Sequence, residues 1–154
     1  MNRPNLRQGF IVRRLADDEV DRVEAVLGLA RLYQGNGFYL VAWENEEALG
    51  HTYLALADPP ELQDMEVRPE HRRRGVASAL TSVAAQTALS LGFDRLRLEV
   101  SEGNAAAQVL YQRCGFVDIG VPARRMRGTI MLRLRPIAVD DTLLTWEKTL
   151  SRDH

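Results

Sequence analysis

Two hydrophobic periods run through the chain. Val20, Val23, Leu27 and Ala30 recur three or four positions apart, whereas Ile130, Leu132 and Leu134 alternate with polar neighbours. The first spacing belongs to a helix face and the second to a strand. Phe10-Ile11-Val12 reads as a first strand. A helix follows from Asp17, with Asp17 or Asp18 able to cap it, and Gly35-Asn36-Gly37 marks a break. Phe38–Trp43 and Leu49–Leu56 read as strands joined in a hairpin through Glu44-Asn45-Glu46-Glu47. Asp58-Pro59-Pro60 is a turn before a fourth strand, Leu62–Val67.

Val76, Leu80, Val83, Ala84, Thr87 and Leu91 then mark one face of a long helix, and Gly92 stands where a C-terminal cap belongs. Leu96, Leu98 and Val100 alternate in a fifth strand. Asn104 is a good N-cap for a second long helix that ends at Gly115. Phe116–Val121 reads as a sixth strand, and Ile130–Leu134 as another. Thr142–Leu150 fits a last strand with Leu144, Trp146 and Leu150 on one face, or a short helix. Strands joined by a hairpin early and by helices later imply an α/β fold. Its mixed central sheet has about seven strands, flanked by helices.

No repeat or linker divides the 154 residues, so 1–154 reads as a single domain, long enough for a core without disulfides. Cys114 is the only cysteine, which excludes an internal disulfide and a cysteine metal cluster and suits a reducing, cytoplasmic setting. The net charge of −1 gives no drive toward nucleic acid or an anionic membrane. The opening MNRPNLRQGF lacks the apolar core of a secretory signal, and no apolar run is long enough for a membrane span. Lys148 is the only lysine, so nearly every basic residue is an arginine.

The chemistry concentrates in VRPEHRRRGVA, residues 67–77. A strand ends, Pro69 breaks it, and an arginine-rich turn leads through Gly75 into a helix. Unpaired N–H groups and the positive end of the helix dipole make such a start an anion site suited to phosphate or pyrophosphate. Arg72, Arg73 and Arg74 add charge. The segment lacks the Gly-Lys-Ser/Thr of a nucleotide-binding P-loop. A solvated basic turn or a nucleic-acid patch over Arg68–Arg74 is the competing reading; the latter predicts strongly salt-dependent DNA binding.

Val67-x-Pro69-x-x-Arg72-x-x-Gly75-x-Ala77 resembles the acetyl-CoA signature of the GNAT superfamily of N-acetyltransferases, R/Q-x-x-G-x-G/A. Asn104-x-x-Ala107-x-x-Leu110-Tyr111-x-x-x-Gly115-Phe116 resembles its second motif, one helix and one strand further on. The resemblance runs from about Leu62 to Phe116. It implies a sheet splayed between the fourth and fifth strands, with the pantetheine of acetyl-CoA bonded to backbone at Met65, Glu66 and Val67. The pyrophosphate would lie on the amides of Arg73, Arg74, Gly75, Val76 and Ala77, with the Arg72 side chain nearby and Asn104 a second contact. Arg73 stands where many members carry glycine, and His71 where many carry an aromatic.

The resemblance also implies a role for Tyr111 as proton donor to the departing thiolate; the alternative is a core aromatic. A base is needed because an amine of pKa near 10 is about one part in a thousand neutral at pH 7. Asp64 and Glu66, two apart on one strand, share a face and are candidates; Glu61 and Glu99 are others. Each carboxylate can equally be an arginine partner, and water can relay the proton instead. His51 and His71 stand alone, with no metal-ligand spacing, and Cys114 reads as packing rather than nucleophile.

The implied function is acetyl transfer from acetyl-CoA, as co-substrate, to a primary amine on a small molecule or peptide N-terminus, in a ternary complex without metal. The alternative is a non-catalytic acyl-CoA sensor or interaction module. Arg124, Arg125 and Arg127, in the connection Pro122–Gly128, are expected to attract a carboxylate or phosphate on the acceptor; the alternative is a solvated cluster, one use of which is a homodimer contact.

Overall fold

In β2 (Phe38–Glu44) successive side chains leave the sheet on opposite sides. Leu40 and Ala42 join one buried cluster; Tyr39, Val41 and Trp43 join another. The computed structural model describes residues 9–29, 36–132 and 135–151, and within them eight strands form one mixed sheet with a helical layer on each face. The remaining strands are β1 (Ile11–Arg14), β3 (Glu47–Ala55), β4 (Glu61–Val67), β5 (Arg95–Ser101), β6 (Val117–Asp118), β7 (Arg124–Leu132) and β8 (Arg135–Thr149). The helices are α1 (Val20–Leu27), α2 (Val76–Ser90) and α3 (Ala105–Arg113). The order across the sheet is β1-β2-β3-β4-β5-β8-β6, with β7 also on β8.

The larger cluster joins Leu80, Ala84 and Ala88 of α2 to Leu96, Leu98 and Val100 of β5 and to Phe116 and Trp146. The smaller one packs Val23 and Leu27 of α1 on β2 and β3. The expected hairpin is present, its turn held by Asn45 at φ 56°, a conformation asparagine accepts readily. Gly92 (φ 97°) and Gly115 (φ 96°) terminate α2 and α3 as the sequence leads one to expect.

Four expectations need correction. Asp17 and Asp18 make no capping bond; the Glu19 carboxylate instead accepts the Ala16 N–H at 3.0 Å. Leu91 lies beyond the end of α2 and is half-exposed, and the buried face runs instead through Thr81, Ala85 and Ala88. The sixth strand shrinks to Val117–Asp118, because the Asp118 carboxylate accepts the Gly120 N–H in a local turn that ends it. The connection Pro122–Gly128 is largely strand, since β7 begins at Arg124. Thr142–Leu150, ambiguous in sequence, is strand nearly throughout, as part of β8. Ala30 and Leu134 lie outside the described residues.

Glu19 ties β1 to α1. Arg13 donates two bonds to its carboxylate, at 2.7 and 2.5 Å, and these bonds above all hold its pKa down to about 2. The unfolded carboxyl takes up a proton first, so this contribution to stability is present above the usual carboxylate pKa of about 4.5 and is lost as pH falls toward 2. The unfolding free energy measured with denaturant should therefore fall as pH drops through that window in the native chain, with a shallower pH slope in Glu19→Gln.

Candidate active site

β4 and β5 run parallel but pair only at Glu61 with Arg97 and Leu62 with Leu98. Beyond Leu62 the two strands separate, and the edge of β4 that faces the opening has no strand partner. β4 is also bulged: Gln63 pairs with Tyr53 and Glu66 with His51, so Asp64 and Met65 together oppose Thr52. Asp64 has φ 48°. Met65 and Val67 pack against the larger cluster, which also contains Val76, Val100 and Tyr111. The strand opening, the start of α2 and α3 thus meet over one apolar floor.

After β4 a short 3-10 turn, Pro69–His71, leads into Arg72–Gly75. Arg73 and Gly75 both lie in the left-handed region, at φ 66° and 79°. Gly75 is the N-cap residue of α2, and a Cβ there would meet no protein atom within 4 Å. The left-handed conformation therefore calls for glycine, while the space beside it stays open. The first intrahelical bond runs from Ala79 N–H to the Gly75 carbonyl, so the amides of Val76, Ala77 and Ser78 point out of the helix start. No acidic residue occupies that first turn. The fifteen-residue helix presents its full positive end there.

The three arginines have different employments. Arg74 turns back to β2, bonding Glu44 at 2.5 Å and the His71 ring at 3.0 Å. These bonds fasten the turn to the sheet, and the Arg74 guanidinium depresses the Glu44 pKa. Arg72 folds across the end of β4 and donates to the Val67 carbonyl at 3.2 Å. Arg73 is exposed and forms no ion pair among the described residues. Arg68 pairs with Glu47 and Glu70. The arginine run is therefore partly neutralised, which weakens the case for a nucleic-acid patch.

Asn104 accepts the Ala107 N–H at 3.0 Å as the N-cap of α3. Seven residues on, Tyr111 is buried with its ring edge-on to Phe116, and the Gly115 turn lets Phe116 N–H reach the Tyr111 carbonyl at 2.9 Å. Burial, with a smaller contribution from Cys114, pushes the Tyr111 phenol up to about 12. Its hydroxyl makes no hydrogen bond among the described residues. Burial likewise raises the Cys114 thiol above its ordinary value, which leaves it a poor nucleophile at neutral pH.

The carboxylates divide. Asp64 and Glu66 share the face that carries Tyr39, His51 and Tyr53. Asp64 accepts the Tyr39 hydroxyl at 2.7 Å, whereas Glu66 is half-buried beyond the bulge. Glu61 accepts from Gln63 at 2.9 Å, and Glu99 from Arg124 at 3.0 and 2.7 Å. Arg125 and Arg127 both pair with Asp140. The three arginines expected to receive an acceptor carboxylate are therefore already matched with acids. Sequence reasoning missed Tyr39 and Thr52; strand alternation put them in the sheet, but only the bulge brings them to β4. Among the described residues no His/Cys/Asp/Glu group can hold a metal, and no helix is long and apolar enough to cross a membrane.

A family model for the GNAT acetyltransferases matches residues 8–116. This chain belongs to the GNAT acetyltransferase family. It is 38% identical over 68 residues to streptothricin acetyltransferase of Streptomyces lavendulae, covering 44% of this chain and 36% of that protein. It is 38% identical over 58 residues to thialysine N-epsilon-acetyltransferase of Bos taurus, covering 38% and 34%. The chain thus spans about a third of the length of these two relatives. A putative streptothricin acetyltransferase from Bacillus anthracis, solved with acetyl coenzyme A, shares the fold at TM-score 0.66 and 18% identity, over 92% of this chain and 99% of that one.

The buried phenol gives this GNAT chain an alkaline signature. Between about pH 10 and 12 the unfolded tyrosine ionises while the folded one keeps its proton, so stability falls by about 2–3 kcal/mol. Unfolding free energies of Tyr111→Phe, measured against the native chain over that window, should lack this loss.

Proposed function

We propose that the chain transfers an acetyl group from acetyl-CoA to a primary amine by direct attack within a ternary complex. The observation that carries this reading is the conjunction of the two openings. An unpaired strand edge at β4 lies beside a helix start whose amides are aimed outward and whose glycine borders empty space. The first suits the amide-bearing pantetheine arm and the second a pyrophosphate. On this reading Met65, Glu66 and Val67 bond the arm through their backbone. Arg73, Arg74, Gly75, Val76 and Ala77 hold the pyrophosphate through their amides, with the side chains of Arg72 and Arg73 completing the charge. Asn104 acts first as a cap and second as a contact.

Alignment of the amine on the thioester carbonyl supplies much of the rate. Glu66, half-exposed on the Asp64 face, accepts a proton from the incoming ammonium, with Asp64 the neighbouring carboxylate. The amine nitrogen then bonds to the carbonyl carbon, backbone N–H groups of β4 steady the charge that gathers on oxygen, and the carbon–sulfur bond breaks, the sulfur leaving with the electron pair as the nitrogen gives up its second proton to water. Tyr111 faces the departing sulfur. Its phenol at about 12 stands more than three units above an ordinary thiol, so complete transfer to a thiolate is uphill by roughly 5 kcal/mol. Tyr111 therefore acts chiefly as a hydrogen-bond donor to the sulfur. The relatives named for streptothricin and thialysine support an amine acceptor. The acid-matched Arg124, Arg125 and Arg127 lend no support to a carboxylated one.

Thiol release from acetyl-CoA should require both the chain and an amine; binding without turnover across a broad amine panel would instead favour a sensor. Gly75→Glu places a carboxylate at the anion site, and calorimetry should show acetyl-CoA binding lost with the fold retained. Tyr111→Phe should lower kcat by about ten- to a thousandfold while acetyl-CoA affinity stays close to native. Full activity in the Phe variant would remove Tyr111 from the mechanism.

A further inference from the structure

We propose that Tyr39 latches the β4 bulge through Asp64, and that Asp64 is a positioning residue for acetyl transfer rather than its proton acceptor. The proposal rests on the transfer reading above. Asp64 adopts φ 48°, a conformation disfavoured for every residue but glycine and only partly relieved for aspartate and asparagine. Something must hold it there. The Tyr39 hydroxyl donates to its Oδ2 at 2.7 Å, and the Asp64 side chain is only 8% exposed. The same oxygen stands 3.8 Å from the His51 ring, which is fully buried.

Tyr39 is itself fixed. It is buried in β2, edge-on to His51 at 5.4 Å and to Tyr53 at 5.1 Å between ring centroids. Two further contacts grip the bulge from β3. The Thr52 hydroxyl donates to the Gln63 carbonyl at 3.0 Å. Gly50 lets the strands close, since a Cβ there would come within 2.7 Å of the Glu66 carbonyl oxygen. The bulge is thus held on one side by a hydroxyl–carboxylate bond and on the other by close strand contact.

Its place along β4 gives the latch its consequence. Pairing with β5 ends at Leu62, and the bulge follows two residues later, where the strand edge turns toward the opening. The peptide groups of Asp64, Met65 and Glu66 are therefore aimed by the bulge. Releasing the Asp64 carboxylate from Tyr39 lets these groups rotate, and misplacement of about 1 Å at a reacting centre can cost on the order of a hundredfold in rate. A carboxylate only 8% exposed, with one oxygen accepting from a buried phenol, is also poorly placed to meet an incoming amine. Glu66 is more open.

Three variants separate the roles. Asp64→Asn keeps an oxygen for the Tyr39 hydroxyl and tolerates positive φ, but cannot accept a proton. Asp64→Gly accepts the φ and loses the latch. Tyr39→Phe removes the donor alone. Asp64→Asn should retain kcat within about threefold with an unchanged pH–rate profile, whereas the other two should lose about ten- to a hundredfold in kcat. Asp64→Asn should bind free CoA within about twofold of native, whereas the other two should bind it more weakly, because the released groups of Met65 and Glu66 also bond the pantetheine arm. If Asp64→Asn loses its activity together with the acid limb of the profile, Asp64 is the base and the proposal fails. Native kcat in Asp64→Gly also defeats it, even should Tyr39→Phe not fold. Should the native chain acetylate no amine, the transfer reading falls on its own account. Amide hydrogen exchange at Met65 then decides the latch: faster exchange in Tyr39→Phe and Asp64→Gly but not in Asp64→Asn supports it, and equal exchange in all overturns it.

Discussion

A parallel pair of strands that parts after two residues governs this molecule. Backbone N–H and C=O groups are obligatory hydrogen-bonding groups, and a buried edge without partners is costly. β4 beyond Leu62 is such an edge, and it lies over an apolar floor formed by Val76, Val100 and Tyr111. Two neighbours hold the strands apart. The β4 bulge turns the chain away from β5, and on its far side β5 is bound along its whole length by β8, from Arg95 with Thr149 to Ser101 with Leu143. β5 therefore cannot follow β4. Each wall of the opening thus belongs to a well-paired half of the sheet.

Charge organises the rim of that opening in a different way. The basic residues are almost all arginine, and Arg74 and Arg124 meet a carboxylate in a forked geometry. Arg124 with Glu99 and Arg97 with Glu147 fasten β5 to its neighbours; Arg74 with Glu44 fastens the turn before α2 to β2. Exposed pairs of this kind contribute little to stability, yet their planar forks fix orientation. Their effect is to leave Arg72 and Arg73 as the cationic groups not committed to an acid, among the described residues, at the helix start.

Strand alternation made the layers legible, and glycine after a periodic run located the ends of α2 and α3. The proposed anion site has a local signal, which is why the sequence suggests it: a strand, a break, arginines, a glycine and a helix in eleven residues. What escaped was set by partners distant in sequence. The sixth strand fell short through one aspartate turning back on its own backbone. Alternation at Ile130 and Leu132 revealed the end of β7, but its first part was hidden because Arg124, Arg125 and Arg127 read as loop until their acids, Glu99 and Asp140, are seen opposite them. The spacing of Asp64 and Glu66 foretold a shared face. It could not foretell the inserted residue that brings Gln63 to that face as well, or the phenol of Tyr39 beneath it.

Arg73 shows how conformation and charge compete at one position. At φ 66° the backbone favours glycine, and the extra side chain costs about 1–2 kcal/mol. That explains the glycine often found at this place in the resemblance. Yet the side chain is exposed, on the turn that precedes the outward-facing amides at the start of α2. Arg72 and Arg74 are drawn back to Val67 and Glu44, so a chain with glycine at position 73 would present backbone amides with little mobile positive charge around them. The strained arginine restores that charge. The strain lies in the exposed turn rather than in the core, beside the left-handed Gly75, so the two unusual residues share one tight loop and leave the helix behind them regular.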